Sequence, residues 1–251
     1  MRLCNIFPIK NQRFYKDEKY VMILAHLLNL YSPQYFHKDQ FVILDNGLYE
    51  NAQVSTDLRD LIKIAQESSI HINEIVIPDK FFDSKETIRL FEKNKETIKE
   101  YSNIYSFMFV AQSNNLEEFE EVINYINQYK GTLNLVVGIP KKAPYKRESD
   151  EAIKIYKKCK FPIHFLGLAD NSPLKDLIKV ENIIRSCDTS QIATMIKNTP
   201  KNEDVLSYVR KPEDVPIDLL EDYVDEERLE KALTVEFDNS VLKNFLGIIK
   251  D

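Results

Sequence analysis

Short apolar runs recur along the chain at a regular pace, separated by polar stretches with helical periodicity. The runs are Phe41-Val-Ile-Leu44, Glu74-Ile-Val-Ile77, Phe107-Met-Phe-Val110, Leu133-Asn-Leu-Val-Val137, Ile163-His-Phe-Leu166 and Asn182-Ile-Ile184. They are rich in β-branched and aromatic residues and closely followed by Gly, Pro, Asp or Asn, which predicts strands buried on both faces. Between them, Leu116, Phe119, Val122, Ile123, Ile126 and Tyr129 fall on one helical face, as do Leu58, Leu61, Ile62 and Ala65. Strand starts lie about 20 to 35 residues apart, the length of a βα unit. The first 40 residues are read as one more strand, residues 3–9, and a helix around residues 20–30.

A β-α pattern repeated at least six times fits a closed (β/α) barrel or an open doubly wound sheet. The sequence has no GxGxxG and no GxxxxGK[ST], which disfavours the nucleotide-binding open sheets. The predicted fold is therefore α/β, a (β/α)8 TIM-type barrel, with irregularities allowed. Residues 192–196 read as a last short strand or helix. Residues 217–232 and 239–249 read as two acidic amphipathic helices packed on the barrel. No linker divides the chain, so residues 1–202 are assigned to the barrel and 203–251 to a C-terminal helical extension.

With 251 residues, 43% hydrophobic and 29% charged, the chain has ample material for a core and is not a disordered one. Its net charge of −6 argues against a simple basic coat for nucleic acid. That charge is unevenly spread, however. Residues 203–251 carry 14 acidic and 6 basic side chains, leaving 26 acidic and 28 basic in the rest. The body is thus free to carry a local basic face. Cys4, Cys159 and Cys187 form no CxxC pair, and His26, His37, His71 and His164 form no HxxxH pattern. Neither a disulfide scaffold nor a zinc site is expected. No apolar stretch reaches the roughly 18 to 20 residues of a membrane span, and the N-terminus lacks a signal peptide's apolar run. The expectation is a reduced, cytoplasmic protein without a membrane partner.

In a parallel barrel, chemistry gathers where the strands end. The residues behind the apolar runs are Asp45-Asn46-Gly47, Pro78-Asp79, Gln112-Ser113-Asn114, Gly138-Ile139-Pro140, Gly167-Leu168-Ala169-Asp170 and Cys187-Asp188-Thr189. Each Asp by itself also reads as a helix cap or a turn residue. Several acids on one rim, without zinc ligands or a phosphate loop, suit chemistry at a carbohydrate carbon. There one carboxylate attacks or stabilises an oxocarbenium-like centre and another moves a proton. Asp and Gln also suit the edge of a nucleobase, since a carboxylate accepts from N–H groups and an amide both gives and accepts.

The order of these motifs resembles that of the tRNA-guanine transglycosylase superfamily, whose phage and bacterial DNA branch inserts 7-deazaguanine bases into DNA. Val42-Ile-Leu-Asp45-Asn-Gly-Leu-Tyr-Glu50 stands where the family has an Asp before Ser-Gly-Gly-Phe-Gln. The family's base-reading Asp falls on Asp79 in Ile75-Val-Ile-Pro-Asp79, and its Val-Gln-Gly-Gly strand end resembles Phe109-Val-Ala-Gln112. Its Leu-Gly-Gly-Leu base loop resembles Leu135-Val-Val-Gly138-Ile-Pro140, with one glycine where the family has two. His164-Phe-Leu-Gly167-Leu-Ala169 resembles its Tyr-Leu-Met-Gly-Val-Gly segment. Ile184-Arg-Ser-Cys-Asp188-Thr-Ser resembles its nucleophile motif. The match spans roughly residues 41 to 195. The family's cysteine-rich zinc segment has no counterpart, which favours the compact DNA branch over tRNA.

The resemblance implies a nucleophile at Asp188 and a second acid at Asp45. It implies contacts to the base from Asp79, Gln112, Gly138, Asn46 and Gly167. No cofactor and no metal are implied; the partners are DNA ahead of tRNA and a free guanine or 7-deazaguanine base, with a helper protein left open. Tyr49 or Phe81 is placed to stack on an extruded base, or serves as ordinary packing. Lys141, Lys142, Lys146 and Arg147 surround a Tyr behind the Gly138 strand end and suit a nucleic-acid backbone, or a solvated loop. Lys154, Lys157, Lys158 and Lys160 read as plain surface, His164 as a satisfied core histidine and Cys187 as buried and inert. The leading expectation is DNA base exchange, guanine out and a preQ0-type base in. A DNA glycosylase, a tRNA-guanine transglycosylase and a silent nucleic-acid-binding barrel are the alternatives.

Overall fold

Eight short parallel strands close on themselves in the computed structural model, with β8 hydrogen-bonded to β1. The structure describes residues 2–48, 57–140, 143–145, 147, 149–167, 184–189, 193, 196–197 and 218–237. The strands are β1 (Arg2–Asn5), β2 (Tyr20–Leu24), β3 (Phe41–Asp45), β4 (Glu74–Val76), β5 (Ser106–Val110), β6 (Leu135–Ile139), β7 (Ile163–Phe165) and β8 (Ile184–Thr189). Sequential order around the ring and the helices between strands make this a (β/α)8 TIM-type barrel. Closure leaves no unpaired edge, and every strand ends on the same rim.

Alternation along each strand divides the core in two. Val42, Leu44, Ile75, Phe107 and Val137 face outward and pack under the helices with Phe91, Phe119 and Tyr156. Met22, Ile43, Val76, Met108 and Val136 face inward and fill the barrel with Cys4 and Val110. The helices α1 (Leu58–Glu67), α2 (Ser84–Tyr101), α3 (Leu116–Ile126) and α4 (Asp150–Lys158) follow β3, β4, β5 and β6. Each begins at a side chain that accepts a first-turn N–H: Asp57, Asp83, Asn115 and Ser149. Such a cap stabilises a helix by about 1 kcal/mol. The strand-end residues Asp45, Asp79, Gln112 and Asp188 are not the caps of these four helices.

Three sequence expectations shift. Residues 20–30 are helical only in their second half: Tyr20–Leu24 form β2, and Ala25–Leu30 is a 3-10 helix. A strand buried on both faces carries no alternation to separate it from a buried helix, and pairing with β3 through all five residues decides the outcome. The first strand stops at Asn5, and Ile9–Asp17 is 3-10 helix. The last strand runs on to Thr189, so Asp188 lies inside β8 rather than behind it.

Register slips between β7 and β8, where Ile163 meets Ile184 but His164 meets Ser186. Arg185 is the extra residue of this bulge, and both it and Ser186 turn polar groups into the barrel. Towards the C-terminus, residues 219–221 form a turn and α5 spans Glu226–Phe237, where the sequence predicts a helix over 217–232. Asp225 caps α5 through the Arg228 N–H. Asn11 clasps Val224, its side chain donating to the Val224 carbonyl and accepting from the Val224 N–H, both at 2.8 Å. Arg13 pairs with Glu226 at 2.9 Å, so part of the tail's acidity is met by the connection between β1 and β2. The second expected helix, 239–249, lies outside the described residues.

Candidate active site

Two polar clusters occupy the rim where the strands end. The first joins three successive connections. Asp79, just past β4, is buried and accepts at 2.7 Å from Asn46 Nδ2 past β3 and at 2.7 Å from Gln112 Nε2 past β5. Each amide is oriented by its other end. Asn46 Oδ1 takes the Leu48 N–H at 2.9 Å, and Gln112 Oε1 takes the Phe82 N–H at 3.3 Å. Asn46 Nδ2 also reaches the Ile77 carbonyl at 3.0 Å. Burial pushes the Asp79 carboxyl up to about 6, against the pull of these two amides. A carboxylate has about four acceptor positions; the two amides and a backbone N–H take three of them, leaving acceptor capacity for an N–H group of a ligand.

The second cluster centres on Asp188 in β8, also buried. Its Oδ1 lies 3.0 Å from His164 Nε2 and 3.0 Å from the Gly167 backbone nitrogen, which is 3.1 Å from Oδ2. Gly167 holds φ at +62°, a conformation glycine reaches without strain, and this aims its N–H at the carboxylate. Among the described residues, no Lys or Arg side chain reaches the Asp188 carboxylate; His164 and the Gly167 N–H are its partners. Cys4 and Cys187 flank it. Burial, then the neighbouring Asp188 charge, pushes the Cys187 thiol up to about 12 and raises Cys4 well above the ordinary thiol value. Neither thiol is ionised near neutrality, so neither adds an anion beside the Asp188 carboxyl.

Asp45 closes β3 and is half-buried, and its Oδ1 accepts the Gly47 N–H at 2.7 Å. The turn predicted for this Asp-Asn-Gly segment is present, and it sets the carboxylate beside the Asn46–Asp79 cluster. Gly138 sits within β6, where a Cβ would come within 2.9 Å of Met108 Sδ, and its carbonyl takes the Ala111 N–H at 2.8 Å. Expected to offer its backbone to a base, Gly138 instead spends that carbonyl on the barrel. Arg147 also departs from expectation. It is only 7% exposed, and its guanidinium donates to the Leu166 carbonyl at 2.9 Å and the Ile139 carbonyl at 3.3 Å. It ties the ends of β6 and β7 together rather than facing a phosphate backbone. Lys141, Lys142, Lys146 and Tyr49 lie outside the described residues.

Two participants were not singled out from sequence as parts of this site. His164 was read as an ordinary core histidine. It is fully buried and reaches Asp188. The available signal was a polar residue inside a strand apolar on both faces. Phe82 is 41% exposed and holds φ at +54°, unusual for a bulky residue. Its ring lies 6.1 Å from that of Phe81, the half-buried aromatic proposed to stack on a base.

No family model and no curated protein matches this chain. Solved structures do. The chain is similar to N-acetylneuraminate lyase of Proteus mirabilis, with 12% identity and a TM-score of 0.44, over 78% of this chain and 74% of that one. It is also similar to a structure of the Amycolatopsis orientalis BexX/CysO complex, with 7% identity and a TM-score of 0.44, over 76% of this chain and 80% of that one. Among the described residues, no helix is long and apolar enough to cross a membrane.

Proposed function

We propose that this chain is a glycosyl-transferring enzyme of the transglycosylase type, which exchanges guanine in DNA for a 7-deazaguanine base of the preQ0 kind. The observation that carries the reading is the Asp79–Asn46–Gln112 cluster. Three strand ends converge on one buried carboxylate whose remaining acceptor capacity suits an N–H group on a guanine edge. Because their amides are turned toward Asp79, Asn46 and Gln112 hold the reader in place.

In this mechanism an oxygen of Asp188 attacks C1′ of the deoxyribose as the C1′–N9 bond breaks. The electron pair of that bond leaves with the purine, which takes a proton from the Asp45 carboxyl. The incoming base gives a proton to Asp45, and its nitrogen attacks C1′ as the bond to the Asp188 oxygen breaks. Two inversions give overall retention. The target base must leave the duplex stack to reach such a rim, and Phe81 and Phe82 are the described aromatics beside Asp79. Lys141, Lys142 and Lys146 are assigned to the phosphate backbone, without Arg147. Replacing Lys141 and Lys142 by Ala is expected to weaken DNA binding at every sequence and flatten its salt dependence.

The test is incorporation of labelled guanine and labelled preQ0 into duplex DNA and, separately, into tRNA, with released base scored in the same samples. Label entering DNA with wild type and not with Asp188→Ala supports the reading. Base release without label entry replaces it with a DNA glycosylase. Label entering tRNA alone moves the substrate to RNA.

A further inference from the structure

A continuous line of polar side chains, buried except for the half-buried Arg185, runs through the barrel from its N-terminal floor to Asp188. At the floor, Glu74 of β4 is fully buried and meets the Arg185 guanidinium twice, Nη1 to Oε2 at 2.6 Å and Nη2 to Oε1 at 2.7 Å. Phe41 lies under that guanidinium at 5.5 Å. Arg185 Nε donates to Ser186 Oγ at 3.1 Å. Ser186 Oγ lies 2.7 Å from His164 Nδ1, and His164 Nε2 lies 3.0 Å from Asp188 Oδ1. The bulge in β8 makes this possible, because consecutive residues Arg185 and Ser186 both reach inward.

The direction of every proton in the line follows from its two ends. A guanidinium only donates, so the Ser186 oxygen accepts from Arg185. Among the described residues, His164 Nδ1 is the other partner of that hydroxyl, and its proton goes there. With Nδ1 accepting that proton, the imidazole's own N–H is the one on Nε2, which faces Asp188.

We infer that Glu74, Arg185 and Ser186 act as a positioning relay that locks His164 in its Nε2–H tautomer, so that Asp188 is oriented by neutral donors and stays an unpaired, reactive carboxylate. Its consequence for rate rests on reading Asp188 as the reacting group; the tautomer itself does not. The relay keeps the barrel's buried cation at the floor, balanced by Glu74. An Arg or imidazolium in contact with Asp188 would hold the carboxylate more tightly and blunt its attack.

The test is a long-range proton–nitrogen spectrum of the full chain with labelled histidine, near neutral pH. The protein has four histidines, and His164→Gln identifies the resonances of His164. The expected spectrum has a protonated Nε2 and a bare Nδ1. A protonated Nδ1, or an imidazolium, overturns the relay, and this measurement on wild type needs no variant to fold. Ser186→Ala should then release the tautomer bias and lower kcat for base exchange about tenfold, one hydrogen bond's worth, with KM unchanged. Ser186→Thr, which keeps the hydroxyl, should restore both. Unchanged kcat in Ser186→Ala with the tautomer released would overturn the relay's role in rate. Absence of any base exchange by wild type would refute the proposed reaction, while the spectrum still decides the tautomer.

Discussion

Gln112 Nε2 donates to Asp79 Oδ2 at 2.7 Å, and the other end of the same amide accepts the Phe82 N–H at 3.3 Å. One side chain thereby couples the buried carboxylate to the exposed aromatic of the β4–α2 loop. Gln112→Leu strands an acceptor on Asp79 and a donor on Phe82. Unsatisfied groups of this kind cost about 1–3 kcal/mol each, and a chain of this size loses roughly 2–4 °C of Tm per kcal/mol. The expected result is a lower Tm and a raised KM for the free base, read by thermal melting and by exchange kinetics. An unchanged KM would mean that Asp79 does not need its amide to read a base.

Glu18 and Asp79 make stability depend on pH with the opposite sign from a salt-bridged acid. Burial raises Glu18 to about 7 and Asp79 to about 6, above their unfolded values of roughly 4. Their contribution is fully present below the unfolded values. It is lost as pH rises through about 4 to 7, where the unfolded chain gives up its protons first. Glu18→Gln keeps the oxygen that accepts from Asn5 at 3.1 Å and removes the charge. Urea unfolding should show the variant level with wild type near pH 4. It should be more stable near pH 8, by up to about 3 kcal/mol. Equal stability at both pH values would count against this assignment.

The Glu74–Arg185 pair separates folding from rate. Breaking it with Glu74→Ala leaves a cation in the barrel and should cost about 3–5 kcal/mol. The double variant Glu74→Leu with Arg185→Met removes both charges, and urea unfolding should show most of that loss recovered. The double variant also lacks the donor to Ser186, so it should fold well and exchange bases slowly. Full activity in a stable double variant would show that the floor pair serves folding alone.

Gly47 holds φ at +77°, and a Cβ there would fall 2.4 Å from His26 Nδ1. Gly47→Ala therefore meets backbone strain and a ring at once, and should cost more than about 1 kcal/mol. Combining it with His26→Ala should relieve the clash and leave the strain, a partial recovery visible by urea unfolding. Because the Gly47 N–H holds Asp45 Oδ1 at 2.7 Å, exchange activity should stay reduced in both. Full activity in either would separate this turn from the proton-moving role given to Asp45.

Five of the eight strands, β3 to β7, are legible as apolar runs, β1 overlaps the strand expected at 3–9, and the last run meets β8 only at Ile184; the helical faces read at 58–65 and 116–129 lie in α1 and α3 and the 3-10 turn that follows α3. Local chemistry suffices for both, since burial on two faces demands continuous hydrophobicity and burial of one helix face demands apolar residues at helical spacing. The acids at the strand ends were legible for the same reason: a polar residue closing an apolar run marks the rim. β2 was hidden, because a fully buried strand and a buried helix share one pattern.

What the sequence by itself determined is the repeating βα unit, the polar residues that close its apolar runs, and the acidic character of the tail. Tertiary structure alone decided which polar groups meet. Ring closure brings residues from β4 and β8 across the same interior, so Glu74 reaches Arg185 over 111 positions of chain. A one-residue bulge turns Ser186 toward His164. Those contacts depend on register, twist and closure, which are properties of all eight strands together and of no single segment.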